Sequence, residues 1–176
     1  MGETTISAKK HILTYGIVLG SLSIIYNIIL YVTDNITGEN WIKPFINLTI
    51  LITVISYGIF SFKLANEGVL KLRQALKIGL GIAIVGGIIP FAWQFLLMNF
   101  IEPDMINQIL GIRKEAILRN NPTISSEKLN QSLVLTKRFS SSYMISLFSL
   151  ISNLFFGSLT ALLAGAIMQR NPDPFE

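Results

Sequence analysis

The sequence predicts an all-α protein, a four-helix transmembrane bundle with an amphipathic helical loop between its third and fourth spans. Three observations carry that expectation. Residues 78–101 read IGLGIAIVGGIIPFAWQFLLMNFI, a window of 24 residues without a formal charge. As a helix it would measure about 36 Å, enough to cross a hydrocarbon core of about 30 Å with some tilt. Uncharged apolar windows at about 12–33, 44–62 and 143–168 repeat the signature. Charged residues are only 14% of a chain that is 51% hydrophobic, against about 25% in soluble domains. So little charge cannot solvate the surface of a globule, and lipid must be part of the solvent.

The length of 176 residues suits one membrane domain, residues 1–176. The net charge of +4 comes from basic residues flanking apolar windows. Anionic lipid headgroups are therefore their expected partner, and nucleic acid is not, for want of a basic groove with interleaved aromatics. The chain has no cysteine, which excludes disulfides, thiolate metal sites, cysteine nucleophiles and acylation at cysteine.

The first window follows Lys9 and Lys10 and has the outline of a signal peptide. Its apolar run, residues 12–33, is longer than a signal core, and Thr33-Asp34-Asn35 is a poor cleavage site, so a span is expected. Gly2 lacks the hydroxyl residue at position 6 that myristoylation needs, since Ile6 stands there. His11, the single histidine, reads as an interfacial side chain. Gly16 and Gly20 form a small-xxx-small pair that lets another helix approach. Asn27, deep in the span, is expected to hydrogen-bond a neighbouring helix.

A polar turn follows, with Trp41 as an interfacial anchor; its Asn35-Ile36-Thr37 sequon is a weak motif. Span 2 opens with Pro44, which suits a first helical turn. The next connector holds Lys63, Lys71, Arg73 and Lys77 against Glu67, and Gly68 is expected to end the preceding element. Span 3 carries Gly79, Gly81, Gly86, Gly87 and then Pro90. Proline removes a backbone donor and crowds the preceding turn, so a kink is expected near Pro90.

Residues 102–138 form the aqueous helical connector. Glu102-Pro103-Asp104 suits a helix start. Met105, Ile109, Ile112 and Ala116 make one face of an amphipathic helix, expected to lie on the bilayer or cap the bundle. Asn120-Asn121-Pro122 stops that helix and Ser125-Ser126-Glu127 starts another. No glycine or proline then occurs before Gly157, so this helix is expected to run unbroken into span 4, with residues 140–142 as the one place for a break. In span 4, Ser142, Ser146, Ser149 and Asn153 form a polar stripe, with Ser152 beside it; Gly157, Ala161 and Gly165 form a second small face.

Four spans put both termini on one side. Basic residues divide seven against seven between the two sides, but four crowd the short second connector. That asymmetry favours cytoplasmic termini.

No ionisable residue lies within the four windows. Such residues mark pumps, transporters and intramembrane active sites, so no catalytic residue, cofactor or metal site is expected; one histidine cannot build a zinc site. The polar groups that remain outline a candidate groove of Asn27, Trp93, Gln94 and Asn153, with Trp93 and Gln94 deepest. Arg113, Lys114, Arg119, Lys137 and Arg138 are the candidates to meet a phosphate at its rim.

The short connector reading Gln74-Ala75-Leu76-Lys77-Ile78-Gly79, the Glu102-Pro103-Asp104 after span 3, the amphipathic loop and the closing Arg170-Asn171-Pro172 form a pattern. It resembles the bacterial membrane family catalogued as domain of unknown function 4199. That resemblance implies a multi-pass protein of the bacterial cytoplasmic (inner) membrane, with association to envelope or polyprenyl-lipid glycan assembly, and carries over no activity. The expected function is a non-catalytic subunit or scaffold that binds a partner membrane protein or another copy, through the connector or the small faces of spans 1 and 4. The alternative is a carrier or accessory factor for a lipid-linked anionic substrate.

Overall fold

The computed structural model describes residues 7–35 and 42–170. Gly2, Ile6, Trp41, Ile36 and Thr37 of the sequon, and the tail after Arg170 lie outside them. Six α-helices follow in order: α1 (Ala8–Val32), α2 (Ile42–Ala65), α3 (Leu72–Leu96), α4 (Met105–Asn120), α5 (Ser126–Phe139) and α6 (Ser142–Met168). A π-helical turn, Leu97–Ile101, continues α3. Among the described residues there is no strand, only an isolated antiparallel bridge between Leu70 and Arg170. The spans α1, α2, α3 with its π extension, and α6 are long and apolar enough to cross a membrane. The protein is an all-α, multi-pass membrane protein.

The helices outrun the uncharged windows. α1 takes in Lys9 and Lys10, α2 ends beyond Lys63, and α3 begins early enough to include Arg73 and Lys77. A long basic side chain can lay its stem along the apolar surface and carry its charge to the headgroups, so charge ends a window without ending a helix. α2 stops in a tight turn. Glu67 and Gly68 both have positive φ, 54° and 80°, and the Gly68 N–H donates to the Lys63 carbonyl at 2.9 Å, the 6→1 closure that glycine makes accessible.

Small residues decide how the spans meet. In α3, Gly79 faces Ala161, Gly86 faces Leu19 and Gly87 faces Leu150 and Asn153. Gly157 and Gly165 of α6 face Ala83 and Ala75, and Gly16 and Gly20 of α1 face Val85 and Ile89. A Cβ on Gly157 would stand 2.5 Å from that of Ala83. The pairs 79/161, 83/157 and 87/153 run in opposite senses, so α3 and α6 are antiparallel; 16/85 and 20/89 run together, so α1 and α3 are parallel. α3 is thus the axle, with both small faces turned onto it, and the core of Leu19, Ile55, Ile59, Ile78 and Ile82 forms around it.

The Leu70–Arg170 bridge joins the α2–α3 connector to the end of α6, with N–H to carbonyl distances of 3.0 and 2.9 Å. His11 lies edge-on to Phe62 in the same region. The first turn of α1, the end of α2 and the end of α6 therefore share one end of the bundle. At the other end Tyr31 donates to the Glu102 carboxylate at 3.5 Å, and α4 folds back over Leu97 and Met98 by burying Met105.

The expectation of one helix from residue 125 into span 4 is corrected. α5 ends at Phe139, Ser140 caps it, and Ser141 turns extended (φ −63°, ψ 147°) before α6 begins. The Met144 N–H donates to the Ser141 hydroxyl at 3.4 Å. A serine run offers the backbone a competing local hydrogen bond, which suits a cap better than a helix interior. Pro90 lies within a continuous α-helical segment, and the departure from α geometry comes seven residues later, in the π turn.

Candidate functional site

The half of the bundle toward α4 contains a chamber of about 540 Å³. All four spans contribute: Ser23 and Asn27 from α1, Asn47 and four apolar residues from α2, Pro90 and Gln94 from α3, and Ser149, Ser152, Asn153 and Phe156 from α6. It lies largely where α2 buries nothing. Every buried residue of α2 lies between Leu51 and Phe62, and none lies in its first nine residues. The pairing of α3 with α6 changes as well. Where α3 and α6 meet through Gly79 and Ala161 a small residue faces a small residue, but at Gly87, two turns on, the facing residues are Asn153 and Leu150.

The lining holds amides and hydroxyls over an apolar wall of Pro44, Phe45, Leu48, Leu51 and Phe156, with no ionisable side chain among the described residues. The bond expected from Asn27 to a neighbouring helix is not made; its Nδ2 donates instead to the Ser23 carbonyl of its own helix at 2.7 Å. A side chain can satisfy itself on the carbonyl one turn back at no cost in helix separation, and this leaves its Oδ1 for the chamber. Asn153 reaches across to the Ala83 carbonyl at 3.5 Å, a long contact. Asn99 donates to the Phe95 carbonyl at 2.7 Å and accepts from Ser142 at 3.2 Å.

Of the four groove candidates, Asn27, Gln94 and Asn153 line the chamber together. Trp93 does not. A single step along a helix turns the side chain by about 100°, so if Pro90 and Gln94 share the chamber face, Trp93 turns away. It packs instead in the cluster of Leu97, Met98 and Met105 beneath α4, and its Nε1 is buried without a hydrogen-bond partner. The serine stripe divides as well. Ser149 lines the chamber, Ser142 bonds Asn99, and Ser146 is fully buried with an unpartnered hydroxyl.

Arg113, Lys114 and Arg119 are exposed on α4, and Lys137 and Arg138 are exposed in the last turn of α5. None contributes to the chamber lining. Sequence reasoning missed Asn47, Ser23 and Ser152 as lining residues. Asn47 carried a usable signal, since it is the one amide in span 2 and sits one helical turn from Leu51.

A family model described as "Protein of unknown function (DUF4199)" matches residues 14–170, nearly the whole chain. No curated protein and no solved structure matches.

Proposed function

The chain belongs to the DUF4199 family, and from its own geometry we propose that it binds an amphiphile, acting as a non-catalytic carrier or accessory factor for a lipid-linked substrate. The observation that carries this reading is the chamber itself: about 540 Å³, walled by four helices, amide- and hydroxyl-lined and free of charge. Sites for small molecules run to about 300–1,000 Å³ and combine an apolar wall with a few convergent polar groups. Uncharged lining groups suit a neutral hydrogen-bonding moiety, such as sugar or amide. An anionic phosphate on the same ligand would stay outside the chamber, where we propose that the exposed cations of α4 and α5 meet it. The setting we propose is a bacterial cytoplasmic membrane with both termini cytoplasmic, supported by the basic second connector.

The test is native mass spectrometry of protein extracted from its membrane in a mild detergent. Wild type should retain a defined amphiphile, and Leu48→Trp, which puts an indole into the chamber, should reduce retention at least tenfold while the fold stays intact. Wild type without retained ligand, or equal retention by the variant, would sink the reading.

A second reading, a scaffold for a partner membrane protein or a second copy, is favoured by one observation on α5. That helix has no buried residue and leaves Val134, Leu135 and Phe139 exposed. The small faces of α1 and α6 do not support it, because α3 already occupies them. Crosslinking from position 135 in native membranes should capture a discrete protein if this reading holds.

A further inference from the structure

We infer that a second, smaller cavity, at the opposite end of the bundle from the chamber, is a binding site for a phosphate group. It measures about 330 Å³ and is lined by Ser7, Lys10, His11, Thr14 and Tyr15 of the α1 end and Ser61 of α2. Positions 7, 10, 11, 14 and 15 follow the three- and four-residue steps that stack side chains on one helix face. The face is therefore continuous, and Ser61 closes it from across the helix pair.

Each lining residue can donate a hydrogen bond, one carries a fixed positive charge, and among the described residues no carboxylate lines the cavity. His11 Nδ1 is buried and has no hydrogen-bond partner. Its ring is held between Tyr15, centroids 6.4 Å apart and stacked, and Phe62, 5.5 Å and edge-on. The ring is thus fixed by packing, with Nδ1 shielded inside the protein rather than turned to the cavity. Ser7 stands at the N-cap without making a capping hydrogen bond, and the first turn of α1 has no acidic residue. The positive end of the α1 dipole, Lys10 and the hydroxyls consequently lack a negative complement.

An anion with several acceptor oxygens answers Lys10, the hydroxyls and the helix end at once. A phosphate does so better than a carboxylate, whose two oxygens cannot meet donors arriving from two helices and three turns. The phosphate could belong to an anionic phospholipid headgroup, since the cavity opens at the first turn of a membrane span, or to a soluble phosphate. The chemistry is shared. This site stands on residues separate from the chamber, so either inference can fail without the other.

Because the chain has one histidine, ring-labelled His11 gives a single reporter resonance. Protein in maltoside micelles, which contain no phosphate, would be titrated at constant pH and ionic strength with inorganic phosphate in one arm and phosphatidylglycerol in the other. A saturable shift of the His11 resonance is expected in at least one arm. Response to the phospholipid alone assigns a headgroup, response to inorganic phosphate alone assigns a soluble ligand, and response to both assigns a site open to either. Lys10→Gln and Ser61→Ala should each weaken binding at least tenfold in that arm with unchanged unfolding temperature. Lys9→Gln, outside the lining, should leave affinity within twofold. No saturable shift in either arm, or equal weakening by Lys9→Gln and Lys10→Gln, would overturn the inference, the latter by reducing it to diffuse charge attraction.

Discussion

The two halves of this bundle are built from the same four helices and obey different rules. Toward the Leu70–Arg170 bridge, α3 and α6 meet small residue against small residue: Ala75 with Gly165, Gly79 with Ala161, Ala83 with Gly157. Toward α4, the next pairing sets Gly87 against Asn153 and Leu150, the first nine residues of α2 bury nothing, and a chamber opens. In lipid there is no gain from hiding apolar surface from water, so association rests on packing and polar contacts. Where both facing residues are small the backbones approach and packing holds the helices; where one is a long side chain such as Asn153, an amide is carried to the chamber wall. A closed half gives the rigidity that keeps a hollow half open.

That contrast breaks most visibly under overpacking. Gly79→Leu would drive its side chain into Ala161 and Ile55, and overpacking a close contact of this kind should cost about 3 kcal/mol. Gly157→Leu, against Ala83 and Ile55, should match it. Ser149→Leu, a similar change in the hollow half, should alter stability by less than about 1 kcal/mol, as at sites without close neighbours. Equilibrium unfolding in mixed micelles distinguishes the three. Equal losses would mean that the chamber half is as tightly packed as the other. A second effect reverses the ranking. Gln94→Leu should leave the unfolding midpoint nearly unchanged, since a polar contact within a membrane is worth about 0.6 kcal/mol, yet lower amphiphile retention about tenfold, equivalent to about 1.4 kcal/mol.

The spans were legible because uncharged length is a direct readout of lipid exposure, and α1, α2, α3 and α6 stand where the four windows lie. Gly16, Gly20, Gly157, Ala161 and Gly165 were legible as contact faces but not as contacts with α3. A small-xxx-small step says that something approaches and carries no information about what. The chamber was legible in part for a related reason. Depth along a span can be counted from sequence, so Asn27, Gln94 and Asn153 could be set at one level. The rotation that takes Trp93 out of that level and brings Asn47 in depends on how α2 leans, which is settled by packing among residues 51–62. The break at Ser140 was ambiguous locally, since serine serves in a helix and at a cap alike. The π turn at Leu97–Ile101, where the Glu102 N–H donates to the Leu97 carbonyl at 2.7 Å, left no trace in composition at all.

Two smaller effects sharpen the contrast at the junction between the hollow half and α4. Ser141→Ala removes the acceptor for the Met144 N–H and should cost about 1 kcal/mol, the usual loss for an N-cap, with faster hydrogen exchange at Met144. Ser146→Ala should act in the opposite direction. The Ser146 hydroxyl is fully buried without a partner, and an unsatisfied polar group of this kind is itself destabilising, so its removal should raise stability by up to about 1 kcal/mol. The register that pairs residues 83 with 157 and 87 with 153 sets position 146 level with Gln94, one residue from Trp93, whose Nε1 is unpartnered too. Comparing Ser146→Ala, Trp93→Phe and the double variant separates two cases. Additive gains mean two independent orphans stored under α4. A loss in both single variants that is not repeated in the double would mean that the hydroxyl and the indole bond each other in the membrane, and that the layer beneath α4 belongs energetically to the closed half of the bundle.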